Sequence, residues 1–272
     1  MMEGEPVKEE GVEMQDAVVV STGAGGAGLV GIAQILGGST EIHVKQKIPK
    51  LEACTGGCCE VKNTYAITQG TDGTGQVLLE AKEESKCIDR HCCKPVHSRS
   101  MYVYPPGTGK EQALLTIDHP GCECICCTAA KPGVGFGGAC MECCTDGINV
   151  YDGYVEGKPG ALEGNLISSI KQPVMGGGCT PTLVVDGKTY VEGPMCFGGW
   201  SECCFDSSFT LSTEPGKSGN IASFKHLKPK DIGGACREAC TDSDNYGITF
   251  AAEATAEQKA DALASAILVD YM

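Results

Sequence analysis

Between Asp242 and Glu253 the chain reads Asp-Ser-Asp-Asn-Tyr-Gly-Ile-Thr-Phe-Ala-Ala-Glu, which places acids at positions 1, 3 and 12 of a twelve-residue segment and glycine at position 6. Hard carboxylate oxygens at that spacing, with a glycine to turn the chain, are what an EF-hand loop offers a calcium ion. Position 5 is Tyr246, which brings no carboxylate, and the residues ahead of the segment do not read as an entering helix. The pattern therefore describes an unconventional, low-affinity site. It equally describes a polar turn that opens a strand, with Asp and Asn in their ordinary turn roles.

Cysteine is the second chemistry-bearing residue type, with 19 in the chain. Cys122, Cys124, Cys126 and Cys127 form one group, and Cys140, Cys143 and Cys144 follow it closely. Three chemistries fit. Thiolates of Cys122 and Cys124 with Cys140 and Cys143 make two separated pairs of the kind that hold zinc tetrahedrally. Reduced thiols also pack as small apolar groups, and exposed thiols near a membrane take S-palmitoyl chains. Disulfides fit poorly. The count is odd, and the adjacent pairs at Cys58-Cys59, Cys92-Cys93, Cys126-Cys127, Cys143-Cys144 and Cys203-Cys204 would each need two distant partners. The first sixteen residues carry six acids against one lysine and contain no basic-then-apolar export signal. A reducing, intracellular compartment is the expectation.

No Ser-His-Asp or Cys-His set stands out, so covalent catalysis is not expected. The formal charge of −14 excludes a protein that coats nucleic acid or grips anionic lipid through its overall charge. Lys225, His226, Lys228 and Lys230 form a short basic run, read as a solvated strand end.

These residues must be carried by many short elements, since the chain has 38 glycines and 13 prolines. Extended runs alternate with turns, and hairpins are predicted at Tyr65–Ile67 with Gln76–Ala81, at Met101–Tyr104 with Ala113–Ile117, and at Phe209–Leu211 with Asn220–Phe224. The sharpest joins Leu183–Val185 to Lys188–Val191 through Asp186-Gly187, residues suited to the positive φ angles of a two-residue hairpin turn. Successive antiparallel hairpins must hide their edges, which favours an all-β closed barrel or sandwich. Ala17 to Thr40 carries no charge, but seven glycines deprive it of the apolar area of a membrane span. With the acidic start, residues 1–34 read as a tail and glycine linker ahead of a domain at 35–272. Near the C-terminus, 254–271 has no glycine or proline and aligns Ala260, Leu263, Ala264, Ile267, Leu268 and Tyr271 on one helical stripe. Its uncharged core, Ala262–Val269, is far shorter than the ~20 residues that cross a bilayer. A helix buried inside the barrel is the expectation.

In this order the motifs resemble the phospholipid scramblases from about Ile35 to Met272. The resemblance is carried by Glu83–Cys93, by Cys122–Cys127, by Gly193-Pro194-Met195-Cys196 with Cys203-Cys204, and most specifically by Arg237–Phe250. It implies a tubby-like antiparallel barrel of about 12 strands around the C-terminal helix. It also implies calcium held by Asp242, Asp244 and Glu253 with backbone carbonyls of Tyr246 and Ile248, and palmitoylation at Cys124, Cys126 and Cys127. The activity implied is calcium-dependent, ATP-independent movement of phospholipids between leaflets, from the cytosolic face of a membrane reached through lipidation. Other readings are a lipid-tethered interaction or assembly module that transports nothing, and a zinc-stabilised structural protein. Homo-oligomers and protein partners are compatible with each. The chain lacks the long proline-rich N-terminal region of the family, and Ser218–Leu227 matches its nuclear-import segment poorly.

Overall fold

A computed structural model of the protein describes residues 26–47, 62–86, 97–121, 147–172, 182–194, 207–216, 219–227 and 245–270. Twelve antiparallel strands follow one another around a closed barrel, and β1 (Glu41–Gln46) pairs with β12 (Asn245–Phe250) to complete it. Between them lie β2 (Thr64–Gln69), β3 (Val77–Glu84), β4 (Arg99–Tyr104), β5 (Leu115–His119), β6 (Gly147–Asp152), β7 (Leu166–Lys171), β8 (Thr182–Val185), β9 (Thr189–Glu192), β10 (Ser207–Ser212) and β11 (Ala222–His226). Closure gives every strand a neighbour on both sides, the outcome that the run of hairpins anticipates.

Each predicted hairpin forms. In the Asp186-Gly187 turn both residues have positive φ, 49° and 70°, and Lys188 N–H donates to the Val185 carbonyl at 2.9 Å. The ladder nevertheless pairs Val185 with Thr189. Three residues, not two, therefore separate the paired strands.

Alternate residues face inward, as the two-residue strand period requires. Ile42 and Val44, Tyr65 and Ile67, Leu79 and Ala81, Met101 and Val103, Leu115 and Ile117, and Phe209 and Leu211 all belong to one buried core. Phe209 stacks on Phe224 at 4.9 Å between ring centres, and Phe224 meets Tyr246 edge-on at 6.3 Å. The centre of the bore is filled by helix α2 (Ala256–Val269), every residue of which from Lys259 to Val269 is buried. Its start is set by a capping box. The Thr255 hydroxyl accepts from Gln258 N–H at 3.2 Å, and the Gln258 side-chain carbonyl accepts from Thr255 N–H at 3.0 Å. At its other end Tyr65 donates its hydroxyl proton to Asp270.

One expectation is corrected. The stretch read as a glycine linker up to residue 34 includes a helix, α1 (Ala27–Leu36), so the expected domain boundary falls inside an element. The glycines serve close packing rather than flexibility: a Cβ on Gly28 would lie 2.0 Å from the Leu114 carbonyl oxygen, and one on Gly31 would lie 2.7 Å from the Leu114 side chain. The Asp152 carboxylate caps the N-terminus of α1, accepting from Gly26 and Leu29 N–H groups. Lys259 of α2 caps the opposite terminus with bonds to the carbonyls of Leu36, Gly37 and Ser39 at 2.7, 3.2 and 3.0 Å. Ile32 and Leu36 are fully buried beneath this arrangement. Helix α1 thus covers the barrel end from which β1 starts.

Candidate functional site

Because consecutive strands alternate in direction, connections from odd to even strands all leave one end of the barrel, and those from even to odd strands leave the other. The first set leaves the end opposite α1, here termed the far end. By sequence, all 19 cysteines lie in these six connections: between β1 and β2, β3 and β4, β5 and β6, β7 and β8, β9 and β10, and β11 and β12. Cys122, Cys124, Cys126, Cys127, Cys140 and Cys143 lie outside the described residues, as do Asp242 and Asp244. Among the described residues no group of three or more His, Cys, Asp or Glu side chains is arranged to hold a metal ion.

The remaining members of the acidic segment are resolved differently from an EF-hand loop. Tyr246 and Ile248 lie within β12 and point into the core, 1% and 0% exposed. They pair with Val44 and Ile42 on one side and with His226 and Phe224 on the other. Their carbonyls are therefore part of the sheet. Glu253 follows β12 at the α1 end and is exposed. The six extended residues of β12 set Asn245 and Phe250 about 17 Å apart, whereas calcium ligands sit about 2.5 Å from one ion. Tyr246, Ile248 and Glu253 are therefore spread along β12 and past its end rather than gathered in one loop. Strand pairing overrides the loop spacing, because a six-residue antiparallel ladder on both sides satisfies more backbone groups than a loop does.

What the described part of the far end presents is a buried polar layer. Glu83, Arg99 and His119 continue the inward-facing rows of β3, β4 and β5, and each is nearly inaccessible. The Glu83 carboxylate accepts from the His97 ring at 3.1 Å, from the Ser85 hydroxyl, and from Asn63 N–H at 3.1 Å. Burial alone would push the Glu83 carboxyl up, but the bonds from His97, Ser85 and Asn63 outweigh it and hold the group at about 2. The His97 carbonyl accepts from Arg99 at 3.4 Å and from His119 Nδ1 at 3.0 Å. Since a carbonyl only accepts, that nitrogen of His119 carries the proton. On β11, His226 is also buried and stacks on Tyr246 at 5.1 Å. Sequence reading overlooked this layer. Its signal was parity: Glu83, Arg99 and His119 each fall two residues beyond an apolar inward position.

Comparison with known proteins supplies the family. The family model described as Scramblase matches residues 30–272, so the chain belongs to the Scramblase family. Among individual proteins it is similar to phospholipid scramblase 1 of Rattus norvegicus, 28% identical over 239 residues, covering 85% of this chain and 59% of the relative. It is also similar to phospholipid scramblase 1 of Homo sapiens, at 26% identity over 85% of this chain and 62% of the relative. Phospholipid scramblase 2 of Bos taurus is 26% identical, with coverage of 85% and 67% respectively. The chain spans about three fifths of the length of the scramblase 1 relatives. No solved structure matches it.

Proposed function

We propose that the protein acts on phospholipid membranes as a scramblase-like translocator, moving lipids between leaflets without ATP, in response to calcium and from a lipid-modified, membrane-bound position on the cytosolic side. The observation that carries this reading is polarity of the molecule. The same barrel end sends out the connections bearing every thiol and the connection bearing Asp242 and Asp244. Acyl chains on Cys124, Cys126 and Cys127 would hold that end at a bilayer, since two or more chains make attachment stable. A cation at Asp242 and Asp244 would then sit where phosphate oxygens can complete its shell. Among the described residues no helix is long and apolar enough to cross a membrane, a statement that leaves strands aside.

A second reading, a lipid-tethered interaction or assembly module, is favoured by one specific observation: α2 fills the bore, so among the described residues the barrel has no open polar channel for headgroups. Purified protein in vesicles carrying a fluorescent phospholipid, assayed with and without calcium, separates the two. The scramblase reading expects calcium-dependent flipping that is abolished in Asp242→Ala with Asp244→Ala and retained in Glu253→Ala. Flipping no faster than in empty vesicles leaves the module reading in place.

A further inference from the structure

The wall of the barrel is not uniformly closed. Among the described residues β7 pairs with β8 through Ile170–Val185 and Lys171–Val184, the shortest ladder in the barrel. The tip of the β8–β9 hairpin ends this seam: Asp186 N–H donates to the Ser169 carbonyl at 3.0 Å, and Ser169 N–H donates to the Asp186 carboxylate at 2.8 Å. Beyond the tip, Leu166 and Ser168 are paired on their other side only, with Tyr151 and Val150 of β6. Leu166 is 51% exposed there.

Behind this seam lies a carboxyl group on the filling helix. Asp261 of α2 is 8% exposed and accepts from the Ser168 hydroxyl. One turn further along α2, the Ser265 hydroxyl is fully buried and has no hydrogen-bond partner among the described residues. Among the described residues no cation answers Asp261. The charges that act on it are Glu257, one turn earlier on its own helix, and Asp186 of the hairpin tip, and both repel it when ionised. Toward α2, β6 presents Ile148 and Val150, β11 presents Ala222, Phe224 and, at the far end, His226, and β12 presents Tyr246, Ile248 and Phe250. Helix α1 carries no charged residue, and Lys259 is turned to the α1 carbonyls. A buried carboxylate with one hydroxyl donor and two like-charged neighbours is costly in a packed interior; a neutral carboxylic acid is not.

We propose that Asp261 makes closure of the β7–β8 seam over α2 depend on pH, with the protonated carboxyl sealing the wall and the ionised one loosening it. The inference is independent of lipid transport. Burial pushes the Asp261 carboxyl up to about 6, with the Ser168 bond opposing the rise and Glu257 and Asp186 adding to it. In an opened seam the group returns toward its ordinary value of 3.8. Between those values the closed form binds more protons than the open form, so closure weakens as pH rises from about 4 to 6 and is level above that.

Amide hydrogen exchange between pH 4 and 7, expressed as protection factors corrected for intrinsic exchange, tests this. Protection at the Ser169 and Asp186 amides falls with rising pH by up to ~100-fold, the factor that two pH units of linkage allow, while the β2–β3 ladder shows no such step. In Asp261→Asn the seam amides stay protected across the range. An equal slope in wild type and Asp261→Asn, or a seam that follows the β2–β3 ladder, overturns the proposal. If the variant does not fold, the carbon-13 titration of the Asp261 carboxyl in the wild-type chain decides: a midpoint near 6 supports the device, and one near the ordinary value overturns it.

Discussion

Glu83 shows how one inward position can dominate the pH response of the folded chain. Its carboxyl is held at about 2 against an ordinary value of 4.5. A depressed carboxyl contributes stability that is present above the ordinary value and is lost as pH falls from 4.5 toward 2. The shift corresponds to about 3 kcal/mol. Glu83→Gln is therefore expected to lower unfolding free energy at pH 7 by roughly that amount and to flatten the acid limb of the stability curve. Urea denaturation of both forms at pH 3 and pH 7 measures it; an unchanged difference between the two pH values would sink the assignment. The residue type alone did not reveal this role, because Glu83 stood in the sequence only as the first residue of the Glu83–Cys93 motif. Only the partner from the start of β4, His97, and the backbone of Asn63 make Glu83 a buried anchor.

At the scale of elements, α1 illustrates that glycine has two opposite uses. A run of Gly and Ala was read as a flexible linker, since glycine loosens an isolated chain. In the folded protein Gly28 and Gly31 let the helix approach Leu114 more closely than any side chain permits. Gly28→Ala must lift α1 from the β4–β5 connection, and a loss of 1–3 kcal/mol is the order expected for overpacking of this kind. Gly38→Ala, where an added Cβ meets nothing within 4 Å, is the control and should leave stability within about 0.5 kcal/mol. Chemical unfolding curves for the two variants distinguish a docked helix from a linker. The acidic segment is the converse case. Its loop-like spacing is real in sequence, yet β1 and β11 supply ladder partners on both sides of residues 245–250 and draw them into a strand. Helix α2, by contrast, was legible in outline because its stretch lacks glycine and proline and aligns apolar residues on one stripe; the Thr255–Gln258 capping box that sets its start is a finding of the structure.

Along the barrel axis α1 covers one end, and at the other end the strands give way to the cysteine-bearing stretches of sequence. This arrangement needs no pairwise contact to hold; it follows from nearest-neighbour antiparallel order around the ring. If the thiols of that end carry thioester-linked acyl chains, neutral hydroxylamine should release the protein from isolated membranes into the soluble fraction. Substituting Cys124, Cys126 and Cys127 by serine should reproduce that release without hydroxylamine. Retention on the membrane in both experiments would place the anchor elsewhere in the molecule.

The hairpins, the terminal helix and the all-β class were determined by the sequence alone, because alternation, Asp-Gly turns and capping residues act over a few positions. The family resemblance was also contained there, in the order of short motifs from Glu83 to Phe250. Tertiary structure decided which residues meet. It drew Tyr246 and Ile248 into a strand, turned a glycine stretch into a packed helix, gathered Glu83, His97, Arg99 and His119 into one layer, and placed Asp261 behind the shortest ladder among the described residues. Each of these depends on a strand's partner or on the helix that fills the bore, and those partners lie tens to hundreds of residues away, beyond the reach of local periodicity.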